Sequence, residues 1–155
     1  MTDIEQFGQR LDRVESELAI RRLAYEYCHG ADKRDPARWA AVWSDDAVWA
    51  VSPDQEIVGV EAICAAVAGQ WDFFRQMHHF TANHVVTIDG DDATGEADVA
   101  VSAEMADGTW IRGGAVYGDR YVRRSGTWRI ARREAGSDFY YSPLPPGVGP
   151  RPDES

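Results

Sequence analysis

Tight turns cut the second half of this chain into long extended runs. Gly90-Asp91-Asp92, Asp107-Gly108 and Ser125-Gly126 are hairpin signals, because Gly and Asp tolerate the backbone angles that short connections need. They separate four runs, His78 to Asp89, Ala93 to Met105, Thr109 to Arg124 and Thr127 to Tyr141. Strands joined by hairpins are antiparallel neighbours, so this half predicts a meander. Gly113-Gly114 inside the third run predicts a bulge or sharp bend.

The first half carries a different period. Ile20, Leu23, Ala24, Tyr27 and Ala31 recur at helical spacing and predict the buried stripe of a first helix over about residues 10 to 30. Asp35-Pro36 reads as an N-cap followed by Pro at the first helical position. The short second helix this starts would keep Trp39, Val42 and Trp43 on its inner side. Ala47 to Val51 predicts a strand, Ser52-Pro53-Asp54-Gln55 a turn, and Glu56 to Val58 a short return strand. A third helix over about Val60 to Phe74 carries Ile63, Val67 and Trp71 on one face. Helices followed by a meander define an α+β class. The expected architecture is a cone-shaped α+β barrel, a bent and mainly antiparallel sheet wrapped around the N-terminal helices. Residues 1–142 read as one domain, and residues 143–155, with five of the seven prolines, as an extended tail.

Charge removes several function classes. The chain has 16 basic and 26 acidic residues and a net charge of −10, so it offers no footprint for phosphate backbones or anionic membranes. Neither a membrane-length apolar run nor a signal peptide is visible. The two cysteines, Cys28 and Cys64, make no disulfide framework and read as free thiols of a cytoplasmic protein. Six Trp and six Tyr supply a core and the walls of an apolar pocket. A small cone leaves a sheet face to cover, so a homo-oligomer is expected, and the amphipathic, charged N-terminus MTDIEQFGQRLDRVESELAI and the Pro-rich tail are further elements suited to packing on a neighbour.

The candidate chemistry lies in Asp32 and His79. Asp32 ends the first helix, where the dipole already disfavours a carboxylate, so a compensating donor is expected. His79 falls at the start of a strand. Alternation puts His79, Thr81 and Asn83 on one face and His78, Phe80, Ala82 and His84 on the other, so these histidines do not share a metal. Thr81 and Asn83 are then placed to add polar contacts beside His79. A carboxylate that fixes an imidazole tautomer makes a general base. With neither a GxGxxG placed between strand and helix, nor a P-loop, nor a metal cluster, no cofactor is expected.

Order and spacing then point to a family. Tyr27-x4-Asp32-Lys33, Trp43-x-x-Asp46-Ala47-x-Trp49, His79-Phe80, Gly114-Ala115-Val116-Tyr117 and Arg124-x-Gly126-x-Trp128 together resemble the SnoaL-like branch of the nuclear-transport-factor-2-like superfamily. Scytalone dehydratase, bile acid 7α-dehydratase and hexachlorocyclohexane dehydrochlorinase are members. The resemblance spans about residues 10 to 142. It implies a His-Asp dyad at the mouth of a cone, with His79 as base and Asp32 as its orienter. Tyr27 matches a site tyrosine that serves a leaving hydroxyl or a carbonyl oxygen. Arg133 falls near an arginine that assists chloride departure, with Arg132 as a rival. Alternation sets Arg129, Ala131 and Arg133 on one face without telling which face is inner. The implied activity is a cofactor-free lyase, a dehydratase or dehydrohalogenase of a small, apolar, cyclic substrate. Two other readings stay open: an isomerase or polyketide cyclase of the same fold, and a non-catalytic binding or assembly subunit like the small subunit of a ring-hydroxylating dioxygenase. The resemblance favours a trimer over a dimer.

Overall fold

The computed structural model describes residues 2–135 and the backbone of residues 140–143. Helix α1 (Asp3–Asp32) starts about two turns earlier than the apolar stripe announces. A capping box explains this. Glu5 N–H donates to Thr2 Oγ1, and Thr2 N–H donates to a Glu5 carboxylate oxygen. Only the second half of α1 enters the core, through Ile20, Leu23, Ala24, Tyr27 and Ala31 as expected. Helix α2 (Pro36–Ala41) follows, with the Asp35 carboxylate accepting from Arg38 N–H. It packs so closely on α1 that a Cβ added to Gly30 would sit 2.8 Å from the Trp39 nitrogen.

Strand β1 (Trp43–Ser52) pairs antiparallel with β2 (Gln55–Val58). Trp43, expected on α2, instead opens β1, because its bulky ring fills the core in the extended form. Helix α3 (Val60–Phe73) runs directly into β3 (Phe74–Asp89), and β4 (Asp92–Met105), β5 (Trp110–Arg124) and β6 (Thr127–Ala135) complete the expected meander. The final run divides, since β7 (Tyr140–Pro143) pairs with the first half of β5 while β6 pairs with its second half. The order β2-β1-β6-β5-β4-β3 describes one curved, unclosed sheet, antiparallel except between β1 and β6. The helices fill its concave side, where Trp39, Trp43, Trp49 and Tyr27 stack in tilted and edge-on pairs. The tail beyond Pro143 lies outside the described residues. No helix among the described residues is long and apolar enough to cross a membrane.

The bulges that shape the site stand where no glycine or proline marks them. Register passes unbroken through Gly113-Gly114, so that doublet carries no bulge. An extra residue enters β3 between Ala82 and Val85 instead, with Asn83 at φ 53°. A second enters β6, where Ile130 and Arg132 oppose the adjacent residues Tyr121 and Arg120 and Ala131 is left over. Each insertion reverses which side chains face inward from that point on.

Candidate active site

The site begins where α1 stops. Asp32 is the last residue of α1, and its carboxylate meets β3, an end strand of the sheet whose outer N–H groups have no ladder partner. Asp32 Oδ2 accepts the His79 backbone N–H at 2.8 Å, and Oδ1 lies 2.5 Å from His79 Nδ1. These are the compensating donors that a carboxylate at a helix C-terminus requires. One carboxylate thus holds both the backbone and the ring of a residue 47 positions away. A carboxylate only accepts, so the network assigns the ring proton to Nδ1 and the lone pair to Nε2. Nε2 has no hydrogen-bond partner among the described residues. Two contacts brace this junction. Trp71 Nε1 donates to the Ala31 carbonyl at 2.8 Å, and Arg34 Nη2 donates to the carbonyls of Phe74 and Arg75.

His79 borders a cavity of about 210 Å³. Its walls are Tyr27, Trp49, Val51, Phe74, Met77, Val101, Ala103, Tyr117 and Ala135, with Gln70 as a further polar member. His78 faces the other way and is exposed, 4.0 Å from Asp32 Oδ2. Thr81 and Asn83, placed beside His79 by simple alternation, do not line this cavity. Thr81 Oγ1 donates to the Asp98 carbonyl, and Asn83, turned by the bulge, donates to Asp98 Oδ2. The same bulge corrects His84, which turns inward rather than away and lies 3.0 Å from Tyr121 Oη through its Nε2.

Beneath the cavity lies a buried ion pair. The extra residue in β6 puts Arg133 on the inner face with Trp128 and Ile130 rather than with Arg129. Arg132 instead faces out and bonds Glu56 and Glu134. Arg133 is 1% exposed. Its Nε and Nη2 donate to the two oxygens of Asp119 at 2.9 and 2.6 Å. Its guanidinium carbon sits 4.2 Å from the Tyr27 ring centre and 4.3 Å from that of Tyr117, so the cation is held between two aromatic faces. Burial opposes the charge on Arg133, but Asp119 outweighs that effect and the guanidinium stays ionised. Burial pushes the Tyr27 phenol up to about 12, with Arg133 pulling partly against it, so Tyr27 remains a proton-bearing donor. Burial also raises the Tyr117 phenol.

Asp119 and Tyr117 received no role from the sequence. Their signal was present: Tyr117, Asp119 and Tyr121 alternate on one strand, and a carboxylate within an aromatic inner face needs a buried cation.

A domain model described as SnoaL-like matches residues 12–134. The chain belongs to the SnoaL-like family. Within it, the gamma-hexachlorocyclohexane dehydrochlorinase of Sphingobium indicum is 32% identical over 146 residues, which cover 88% of this chain and 93% of that protein. A solved type 2 hexachlorocyclohexane dehydrochlorinase superposes with a TM-score of 0.84 at 28% identity, covering 94% of this chain and 99% of that one. The type 3 enzyme of Novosphingobium barchaimii gives 0.83 at 29% identity over 92% and 99%. This SnoaL-like chain thus shares its whole described fold with proteins named as dehydrochlorinases.

Proposed function

We propose that the protein is a cofactor-free lyase that eliminates HX across a carbon–carbon bond of a small, apolar, cyclic substrate. The observation that carries this reading is His79, anchored at Nδ1 and at its backbone by Asp32, with Nε2 unpartnered among the described residues beside a cavity walled by aromatic and aliphatic residues with a few polar groups. In the step, Nε2 takes a proton from carbon. The C–H electron pair becomes the π bond, and X leaves with the pair of the breaking C–X bond. The resulting imidazolium is held by Asp32. Tyr27 donates a hydrogen bond to departing X, while Arg133 beneath its ring makes that side of the cavity favourable to negative charge.

Halide is the leaving group that the 32% identical dehydrochlorinases support, and hydroxide is the alternative that a donating phenol also serves. Size narrows the substrate. A dry cavity of roughly 150 Å³ holds benzene, so about 210 Å³ suits one substituted ring rather than a four-ring sterol. Assembly as a homo-oligomer belongs to the same proposal. A non-catalytic assembly module needs a surface but no anchored base, and that counts against that reading.

The test is a panel of polyhalogenated cyclohexanes and cyclic β-hydroxy ketones, assayed for released halide and for alkene absorbance. His79→Ala and Asp32→Asn are run beside the wild type. Turnover on halogenated rings that collapses in both variants is expected, and turnover that survives both sinks the mechanism.

A further inference from the structure

The first half of α1 carries a second apolar stripe, on the face opposite the core. Ile4, Phe7, Leu11, Val14 and Leu18 are spaced 3, 4, 3 and 4 residues apart and are 46 to 83% exposed. That is the a/d pattern of a coiled coil, not the wider stripe of a helix seated on a sheet. The core-facing residues of the same helix, Ser16, Ile20, Leu23 and Ala24, fall at positions f, c, f and g of this heptad. Asp12, at b, is tied to β5 through Arg123 at 2.6 Å. The stripe is therefore directed away from the protein's own body.

We propose that this stripe binds the same segment of further copies of this chain, as a parallel helical bundle. Charges beside the stripe identify the occupant. With Ile4 at a, Arg10 and Glu17 fall at g, and Glu15 and Arg22 at e. In a parallel, in-register bundle each g residue faces the e residue five positions on in its neighbour, so Arg10 meets Glu15 and Glu17 meets Arg22. Both pairings are of opposite sign. An antiparallel arrangement instead pairs g with g and e with e, so Arg10 meets Glu17 but Glu15 is set opposite the uncharged Gly8 and loses its partner. The present partners of Glu17 and Arg22 are Arg21 and Glu26, each four residues away on an exposed helix surface. Such pairs are weak and leave these charges free to serve a neighbour.

Length is not an obstacle. A free helix of two or three heptads is marginal in water because nucleation is unfavourable. Here the helix is already nucleated, since its second half is built into the core and its first turn is capped. Association therefore adds burial without the cost of making the helix. This inference does not rest on the elimination chemistry, and its test does not use turnover.

Sedimentation velocity of the full chain is compared with that of Leu11→Glu/Leu18→Glu. Separately, Val14→Cys (position d) and Gln9→Cys (position f) are oxidised, with the wild type as blank for Cys28 and Cys64. The expected result is at least tenfold weaker self-association in the double variant with an unchanged far-ultraviolet helix signal. Val14→Cys should give disulfide-linked chains and Gln9→Cys should give none above the blank. Equal mass for wild type and double variant, or equal cross-linking at positions 9 and 14, overturns the proposal.

Discussion

Two carboxylates each hold a nitrogenous base in this molecule, and they do so in opposite ways. Asp119 meets Arg133 in full burial, with both carboxylate oxygens bonded to Arg133 Nε and Nη2 and an aromatic ring on either side of the guanidinium. Asp32 meets His79 at the rim of a cavity, between a helix end and an end strand, and leaves one ring nitrogen unpartnered. The first pair is saturated and the second is not. A saturated pair fixes shape and supplies a field, because nothing is left over to react. An unsaturated one has a lone pair aimed at whatever enters. The two are joined through Tyr27, which edges against His79 with ring centres 6.2 Å apart and lies over Arg133.

Removing the unsaturated member should cost rate and little stability. For His79→Ala, kcat/KM on a halogenated ring is expected to fall by about 10²–10⁴, with the thermal midpoint within a few degrees of wild type. A melted variant would reverse the comparison and make His79 a structural residue. Removing one side of the saturated pair should do the opposite. Asp119→Ala leaves a buried, unpaired guanidinium, and a loss of about 3–5 kcal/mol is expected by urea titration. A stable Asp119→Ala protein with wild-type packing would show that Arg133 is better hydrated than its burial implies.

Tyr27→Phe sharpens the link between the two pairs. The ring stays over Arg133 and only the donor is lost. A hydrogen bond to a charged group is worth about 1.5–3 kcal/mol, so a fall in kcat of roughly 10- to 100-fold is expected. Because the donor acts on the leaving group, the fall should be larger for fluoride or hydroxide than for bromide. An equal fall for every leaving group would place Tyr27 in packing alone.

The same contrast explains how much the sequence could tell. Element order, the α1 core stripe, the Asp35-Pro36 helix start and the hairpins were legible, because each depends on local chemistry. The tie of Asp32 to His79 was legible only as an unmet need for a donor at a helix end, completed by the resemblance. The inner faces of β3 and β6 were not legible past Asn83 and Ala131, because strict alternation cannot register an extra residue. The misplacement of His84 and the pairing of Arg133 with Arg129 share that cause. The Gly113-Gly114 doublet drew attention to a bulge in the wrong strand. The bulges at Asn83 and Ala131 turn His84 and Arg133 inward, the positions from which they reach Tyr121 and Asp119.

Gly30 offers a smaller test, of the frame that both pairs share. Its absent side chain lets α2 approach α1 two residues before Asp32. Gly30→Ala introduces a contact with the Trp39 backbone that cannot be relieved by a rotamer change. A destabilisation of about 1–3 kcal/mol is expected. If α2 moves and draws Asp32 with it, the activity per folded molecule also drops. A neutral Gly30→Ala would mean that α2 yields without moving the helix end.

The smallest effect concerns the far end of the saturated pair. Tyr121 Oη donates to Asp119 at 2.6 Å and must therefore accept from His84 Nε2, which fixes the proton of neutral His84 on that nitrogen. His84 Nδ1 is then a buried lone pair with no partner among the described residues. Protonation would put a second N–H into that space. Burial accordingly holds the His84 imidazole below the usual histidine range, with Arg133 and Arg21 adding to burial while Asp119 and Glu17 oppose it. The sign follows from linkage. The unfolded chain binds the proton at a higher pH than the folded one, so this contribution is complete above the ordinary histidine pKa of about 6.5 and is lost progressively as pH falls below it. The urea midpoint of the wild type should therefore decline between pH 7 and pH 5. His84→Gln keeps an N–H for Tyr121 but does not titrate, and its midpoint should decline less over the same range. Parallel declines in the two proteins would remove His84 from the acid response and leave the carboxylates to explain it.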